Sequence, residues 1–334
     1  MKKTGCVILA LFVAICASMF LNLLLVSALG VKGAATMSGG RVAKEKSFEE
    51  EFVASGESGE GKIVVIPLVG VIGFGQAGAL GDDLVEDFKI ALDQAAKDDD
   101  VKAVVISVDS PGGEVTASDV LYHSLKEFSK TKPAVVYFNS IGASGAYYTA
   151  CGGSYIMSNA TTFTGSIGVI ISTLNYRELF GKIGLQSVVF KSGKFKDMLN
   201  GAREMSEEEK AYVEGLVMQT YDRFLNIVAE ARKQDPNVLR NGVADGRILS
   251  GTDALANKLV DQLGYVEDAY TKARELGGSP GAEVVRYKRE ISFARFFRMF
   301  GESSKAPEIK FDLMGNAPKL EPGRVYLMPP FFAP

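Results

Sequence analysis

The side chain best placed for chemistry is a serine among small neighbours, Gly142-Ala143-Ser144-Gly145-Ala146. The apolar run Ala134–Phe138 leads into it, and Ala146 to Ala150 read as helical. Ser144 is therefore expected at or just before a helix N-terminus, where backbone donors and the helix dipole favour a developing oxyanion. A serine hydroxyl still needs a base to take its proton. The window is one glycine short of the nucleophile elbow, whose fold needs a histidine after the serine. The single histidine, His123, precedes Ser144 and lies about 200° around a predicted helix from the apolar Leu121. A Ser-His-Asp triad has no histidine to use.

Lysine is the remaining candidate base. Ser192-Gly193-Lys194-Phe195-Lys196-Asp197 offers two. Either serves only if burial, or scarcity of negative charge, lowers its pKa well below the usual ~10.4. Lys194 and Lys196 would share a strand face, so spacing does not choose between them. A third segment, Asp109-Ser110-Pro111-Gly112-Gly113, ends a predicted strand with glycines able to take positive φ and expose their amides. Taken singly, each segment has an ordinary structural reading: a serine N-cap, a solvated lysine, a proline-glycine turn.

Gly73-Phe74-Gly75-Gln76-Ala77-Gly78 fits the dinucleotide fingerprint, but alone that pattern is weak. Asp82 and Asp83 follow where a pyrophosphate needs positive potential, and Pro67 interrupts the strand before it. A glycine-rich loop is the better reading. The chain carries 37 basic and 40 acidic side chains, too even a balance for a nucleic-acid partner. Its three cysteines, Cys6, Cys16 and Cys151, supply neither a disulfide framework nor a zinc-ligand spacing. No metal or cofactor is implied.

The elements that must position these residues alternate between strand and helix. Strands are predicted at Ile63–Ile66, Val101–Val108, Ala134–Phe138, Tyr155–Met157, Val169–Ile171 and Ser187–Phe190. A helix follows Asp82-Asp83 and another covers Ser118–Lys130. Ser206 with Glu209 forms a capping box that opens a long helix to about Lys233, with Val213, Leu216, Val217, Phe224 and Ile227 as its buried stripe. The pattern predicts an α/β protein with a mostly parallel sheet covered by helices.

Ahead of this body, Lys2 and Lys3 precede an uncharged run from Thr4 to Val31. As a helix it would be roughly 42 Å long at about 1.5 Å per residue, more than the ~30 Å hydrocarbon core requires. It is far longer than a signal-peptide h-region, so a retained anchor is expected. The organisation read from the sequence is a cytoplasmic leader (1–4), a single transmembrane anchor (5–31), a flexible linker (32–61), a catalytic domain (62–281) and a C-terminal extension (282–334). The short leader favours the cytoplasm, which places the catalytic domain outside the cell membrane.

The three segments, with Thr164-Gly165-Ser166-Ile167-Gly168 between them, resemble the bacterial signal peptide peptidase A family over roughly residues 62–275. The resemblance implies a Ser-Lys protease on the Clp-protease/crotonase fold. It implies Ser144 as nucleophile and Lys196 as base, which settles the choice against Lys194. It further implies Ser166 as the group that orients the lysine, and the Gly113 and Gly145 amides as oxyanion donors. Ala146 departs from the glycine common in relatives, a change in packing more than in chemistry. Peptide substrates are implied, including remnant signal peptides, as is a homo-oligomer that encloses the sites. The rival readings are a crotonase-like acyl-CoA enzyme, which needs no lysine, and an inactive membrane scaffold that binds peptides.

Overall fold

The computed structural model describes residues 47–289, the backbone of Tyr326–Leu327, and Ser18. The expected leader, and the expected anchor apart from Ser18, lie outside the described residues. Among those described, no helix is long and apolar enough to cross a membrane.

In chain order the first elements are β1 (Phe48–Ala54), β2 (Lys62–Val69), α1 (Leu84–Lys97), β3 (Val101–Ser110), β4 (Gly113–Glu114), α2 (Val115–Phe128), β5 (Ala134–Ala143) and α3 (Gly145–Ala150). They are followed by β6 (Tyr155–Ser158), β7 (Phe163–Gly165), α4 (Arg177–Lys182), α5 (Glu207–Arg232), α6 (Pro236–Arg240) and β8 (Ile248–Ser250). The last are α7 (Gly251–Ala256), β9 (Gln262–Leu263), α8 (Val266–Leu276), β10 (Glu283–Arg289) and β11 (Tyr326–Leu327).

Among the described residues one sheet runs β1-β10-β2-β3-β5-β6-β9, with β7 beside β5 and β8 beside β7. From β10 to β9 every pairing is parallel, and only β1 on β10 and β8 on β7 are antiparallel. The expected mostly parallel α/β class is what the chain adopts. Alternation along the strands explains the two cores. Val64, Ile66, Val104, Ile106, Val136 and Phe138 face one side, under Phe88 and Leu92 of α1, Leu121 and Leu125 of α2, and Phe224 and Val228 of α5. Ile63, Val65, Ala103, Val105, Val135 and Tyr137 face the other, under Ala269, Tyr270 and Ala273 of α8. Because both faces are covered, the strands read as continuous apolar runs. Each large side chain buried this way contributes roughly 1.5–3 kcal/mol.

Five sequence expectations need correction. Val169–Ile171 and Ser187–Phe190 form no named strands; the second segment is exposed, with Phe190 94% accessible, and pairs with no sheet edge. The linker expected over 32–61 contains β1, because Phe48 is buried, stacks on Tyr287, and has both backbone groups held by the Gln94 amide at 2.8 and 3.0 Å. The catalytic body does not stop at residue 281, since β10 lies inside the sheet between β1 and β2. The stripe of α5 is buried only in its C-terminal half, at Phe224, Leu225, Ile227, Val228 and Ala229; Leu216 is exposed and Val213 and Val217 are partly so. The first half of α5 stands off the core.

Candidate active site

The site assembles where parallel strands end, the usual place for function in such sheets. Ser110 at the end of β3 pairs with Gly142 near the end of β5, and Gly142 pairs with Thr164 of β7. Three loops therefore leave the sheet side by side: one after Ser110, one at Ser144, one at Ser166. Thr164 ties two of them together, its Oγ1 donating to the Gly142 carbonyl at 2.7 Å.

Ser144 occupies the single residue between β5 and α3, with φ 55° and ψ −117°. A non-glycine residue there is strained by of order 1–3 kcal/mol, and persists only because its surroundings fix it. Strand pairing of Ala143 with Gly165 precedes it, its own amide donates to Gly165 O at 2.8 Å, and its carbonyl starts the helix by accepting from Tyr148. The turn is elbow-like although no histidine serves it; His123 is exposed on α2. Ser144 is 1% accessible, and its Oγ has no hydrogen-bond partner among the described residues. A buried hydroxyl normally finds a partner, so an unsatisfied one at a strained turn is a nucleophile candidate on geometry alone.

Gly145 is the first residue of α3, so its amide has no intrahelical acceptor. Gly113 is positioned from the opposite loop. The amide of Ile72 donates to Gly112 O at 2.9 Å, and that of Glu114 to Ile72 O at 2.8 Å, a parallel bridge about Gly113. That pattern turns the N–H and C=O of Gly113 itself away from Ile72. A side chain fits here only if the backbone shifts, since a Cβ would lie 1.9 Å from Ile72 O. Gly112 takes φ 96°, and its amide donates to Ser110 Oγ at 3.2 Å.

Ser166 is buried, with φ 50°, and its amide donates to Arg247 O at 2.8 Å. The register of β7 on β5 sets it level with Ser144. Lys196 is placed differently. It lies in a turn where its amide donates to Gly193 O at 3.1 Å, and its side chain is exposed. Within one chain it does not hydrogen-bond Ser144 Oγ, which has no partner among the described residues. Lys194 pairs with Glu208; Lys196 makes no ion pair among the described residues.

At the helix after the glycine-rich loop 73–78, an aspartate already holds amides that a pyrophosphate would need. Asp83 caps α1, accepting from the Val85 and Glu86 amides at 3.1 Å each, and its other oxygen accepts from Gly75 at 3.2 Å. Cys151 is buried, which pushes its thiol up to about 12 and leaves it unreactive.

One feature of the site was invisible in sequence. The backbone of β11 pairs antiparallel with β4, Leu327 opposite Gly113 and Tyr326 opposite Glu114. An extended peptide thus already lies along the strand that carries Gly113. Only the short apolar Val325-Tyr326-Leu327 run hinted at it, and a two-residue pairing has no periodicity to read.

A buried, strained serine at a strand-to-helix turn, with main-chain amides from two loops beside it, is the site of an acyl-transferring serine hydrolase. Comparison with known proteins narrows this class. Residues 126–279 match the model of peptidase family S49. A putative signal peptide peptidase SppA of Enterococcus faecium is 38% identical over 247 residues, 73% of this chain and 71% of that protein. A putative protease of Methanocaldococcus jannaschii is 41% identical over 60% of this chain and 64% of its own length. Protease 4 of Salmonella typhi is 34% identical over 65% of this chain, which spans only 35% of that longer protein. The chain belongs to the SppA family of serine endopeptidases, peptidase family S49.

Proposed function

We propose that this chain is a membrane-anchored endopeptidase of the Clp-protease/crotonase fold that cleaves remnant signal peptides and other membrane-derived or unfolded peptides with a Ser144–Lys196 dyad. The observation that carries the reading is the buried, unpartnered Ser144 Oγ on its strained turn. Ser144 attacks the scissile carbonyl as neutral Lys196 accepts its proton. The amides of Gly113 and Gly145 hold the oxyanion, Lys196 protonates the leaving amine, and an activated water hydrolyses the acyl-enzyme. Ser166 orients the lysine. Pairing of β11 with β4 supports a peptide substrate, since a chain bound in that register runs its backbone past Gly113.

The lysine comes from a neighbouring copy of the chain. In support, Ser144 Oγ has no partner among the described residues of its own chain, while Lys196 is exposed in a segment that also exposes Leu174, Leu179, Ile183, Val188 and Phe190. Apolar side chains grouped on one segment mark an association surface. A homo-oligomer joined there encloses its sites, outside the membrane to which residues 5–31 tether it.

The test is casein or quenched-peptide cleavage by wild type, Ser144→Ala, Lys196→Ala and an equimolar mixture of the two variants. Each variant alone should be inactive, and the mixture should regain part of the activity. An active Lys196→Ala variant would overturn the dyad. A mixture as inactive as its components would overturn sharing between copies.

A further inference from the structure

The segment carrying Lys196 contributes little to either core, yet it is fastened firmly at one place. The guanidinium of Arg203 is forked between two carboxylates. Its Nε and Nη2 donate to Asp197 Oδ2 and Oδ1 at 2.8 Å each, and Nη2 also reaches the Asp197 carbonyl at 3.2 Å. Its Nη1 donates to Glu209 Oε2 at 2.9 Å, and Nη2 to Glu209 Oε1. Glu209 is itself fixed, because it closes the capping box of α5 by accepting from the Ser206 amide at 2.9 Å. Lys191 adds a further bond to Asp197 Oδ1 at 2.6 Å.

The neighbours of Lys196 are therefore all tied to the start of α5. Lys194 pairs with Glu208, the Phe195 ring lies 5.4 Å from Tyr212, and Asp197 is bridged through Arg203 to Glu209. Of Lys191, Lys194 and Lys196, only Lys196 makes no ion pair among the described residues.

We propose that Arg203 is a positioning residue for the catalytic lysine: by clamping Asp197 to the capping box of α5 it fixes the turn that presents Lys196 and neutralises the carboxylate beside it. This rests on Lys196 being the base. The fork matters because only a planar guanidinium engages two carboxylates in this way. The neutralisation matters because a lysine beside an uncompensated carboxylate stays protonated to higher pH. The charged groups around this turn are Lys191, Lys194 and Asp197 of the segment, Arg203 itself, Glu204 with its partner Arg177, and Glu207, Glu208 and Glu209 of α5. Removing Arg203 takes one positive charge from that set and tilts the balance towards the ammonium.

The experiment measures kcat and KM on a quenched peptide from pH 6 to 11, using the full chain in detergent. Arg203→Gln should lower kcat about tenfold at pH 8, the usual scale for a misplaced catalytic group. KM should change less than about twofold, since the hydrogen-bond partners of the Arg203 guanidinium are Asp197, Glu204 and Glu209, none of them on the peptide strand. The acidic limb of the profile should move to higher pH. Arg203→Lys keeps the charge and should restore the position of the limb while recovering only part of kcat. Asp197→Asn removes the negative charge, and its limb should move to lower pH; it decides the matter alone if the Gln variant does not fold. Wild-type kcat and an unmoved limb in Arg203→Gln, with Lys196→Ala inactive, would overturn the positioning role and leave the dyad standing. An active Lys196→Ala variant would overturn both.

Discussion

The amide of Ser144 donates to the carbonyl of Gly165 at 2.8 Å, so the turn of the proposed nucleophile is hydrogen-bonded to the residue just before Ser166. Two loops far apart in sequence are locked into one register by this bond and by the pairing of Ala143 with Gly165. If Ser166 orients the base, Ser166→Ala should lower kcat about ten- to a hundredfold with KM nearly unchanged, the cost of a misaligned catalytic group. Folding should survive, because the register rests on main-chain bonds. Steady-state kinetics with a melting curve on the same sample checks both halves.

Gly113→Ala tests the oxyanion assignment from the opposite loop. A Cβ there would lie 1.9 Å from Ile72 O, so β4 must shift and carry its amide with it. Loss of one donor of this kind costs about 2.7–4 kcal/mol of transition-state stabilisation, or 10²–10³ in kcat. Gly145→Ala should cost less, because the position is helical and its amide can stay in place. Equal losses in the two variants would argue against a special role for the Gly113 amide.

The pairing of β11 with β4 predicts competition. A chain lacking residues 326–334 should show a lower KM for extended peptides with kcat unchanged, since Tyr326–Leu327 no longer pair with the strand the substrate needs. A synthetic peptide of residues 322–334 should inhibit the truncated chain competitively. Initial-rate measurements at several peptide concentrations distinguish this from an unrelated loss of stability.

The clamp around Arg203 carries a pH signature. Hydrogen bonding by Arg203, then by the Ser206 amide, lowers the Glu209 pKa from 4.5 to about 2, and Arg203 and Lys191 hold Asp197 well below the carboxylate range. Both folded-state values lie below the unfolded ones, so the contribution to stability is full above about pH 4.5 and is lost as pH falls towards 2. Carbon-detected titration should place Glu209 near 2 in the wild type and nearer 4.5 in Arg203→Gln. The first turns of α5 should loosen before the sheet core does as acid is added.

Much of this architecture could be read from residue patterns, and the misses share a physical cause. The buried strands at Lys62–Val69, Val101–Ser110 and Ala134–Ala143 are long β-branched runs covered on both faces, and such runs have few alternatives. Ser144 could be placed at a helix start because small residues there follow a strand. Its positive φ was not legible, since a serine rarely adopts it and tertiary contacts impose it. The strands expected at 169–171 and 187–190 failed because an apolar run does not reveal whether a sheet edge is within reach. The same ambiguity misled the reading of α5, whose first half keeps helical spacing of apolar residues without a core beneath it. In the proposed homo-oligomer such exposed apolar positions would meet another copy of the chain, and no single-chain periodicity distinguishes that from an internal core. The β11 pairing and the Arg203 fork join residues that neither motif nor period connects.

The most direct test of the dyad follows the acylation of Ser144 itself. Intact-mass spectrometry can time its labelling by a fluorophosphonate from pH 6 to 11 in wild type, Lys194→Ala and Lys196→Ala. Labelling of wild type and Lys194→Ala should accelerate together as pH rises and the base loses its proton, while Lys196→Ala stays unlabelled throughout. Labelling of Lys196→Ala at the wild-type rate and with the wild-type pH profile would contradict the dyad.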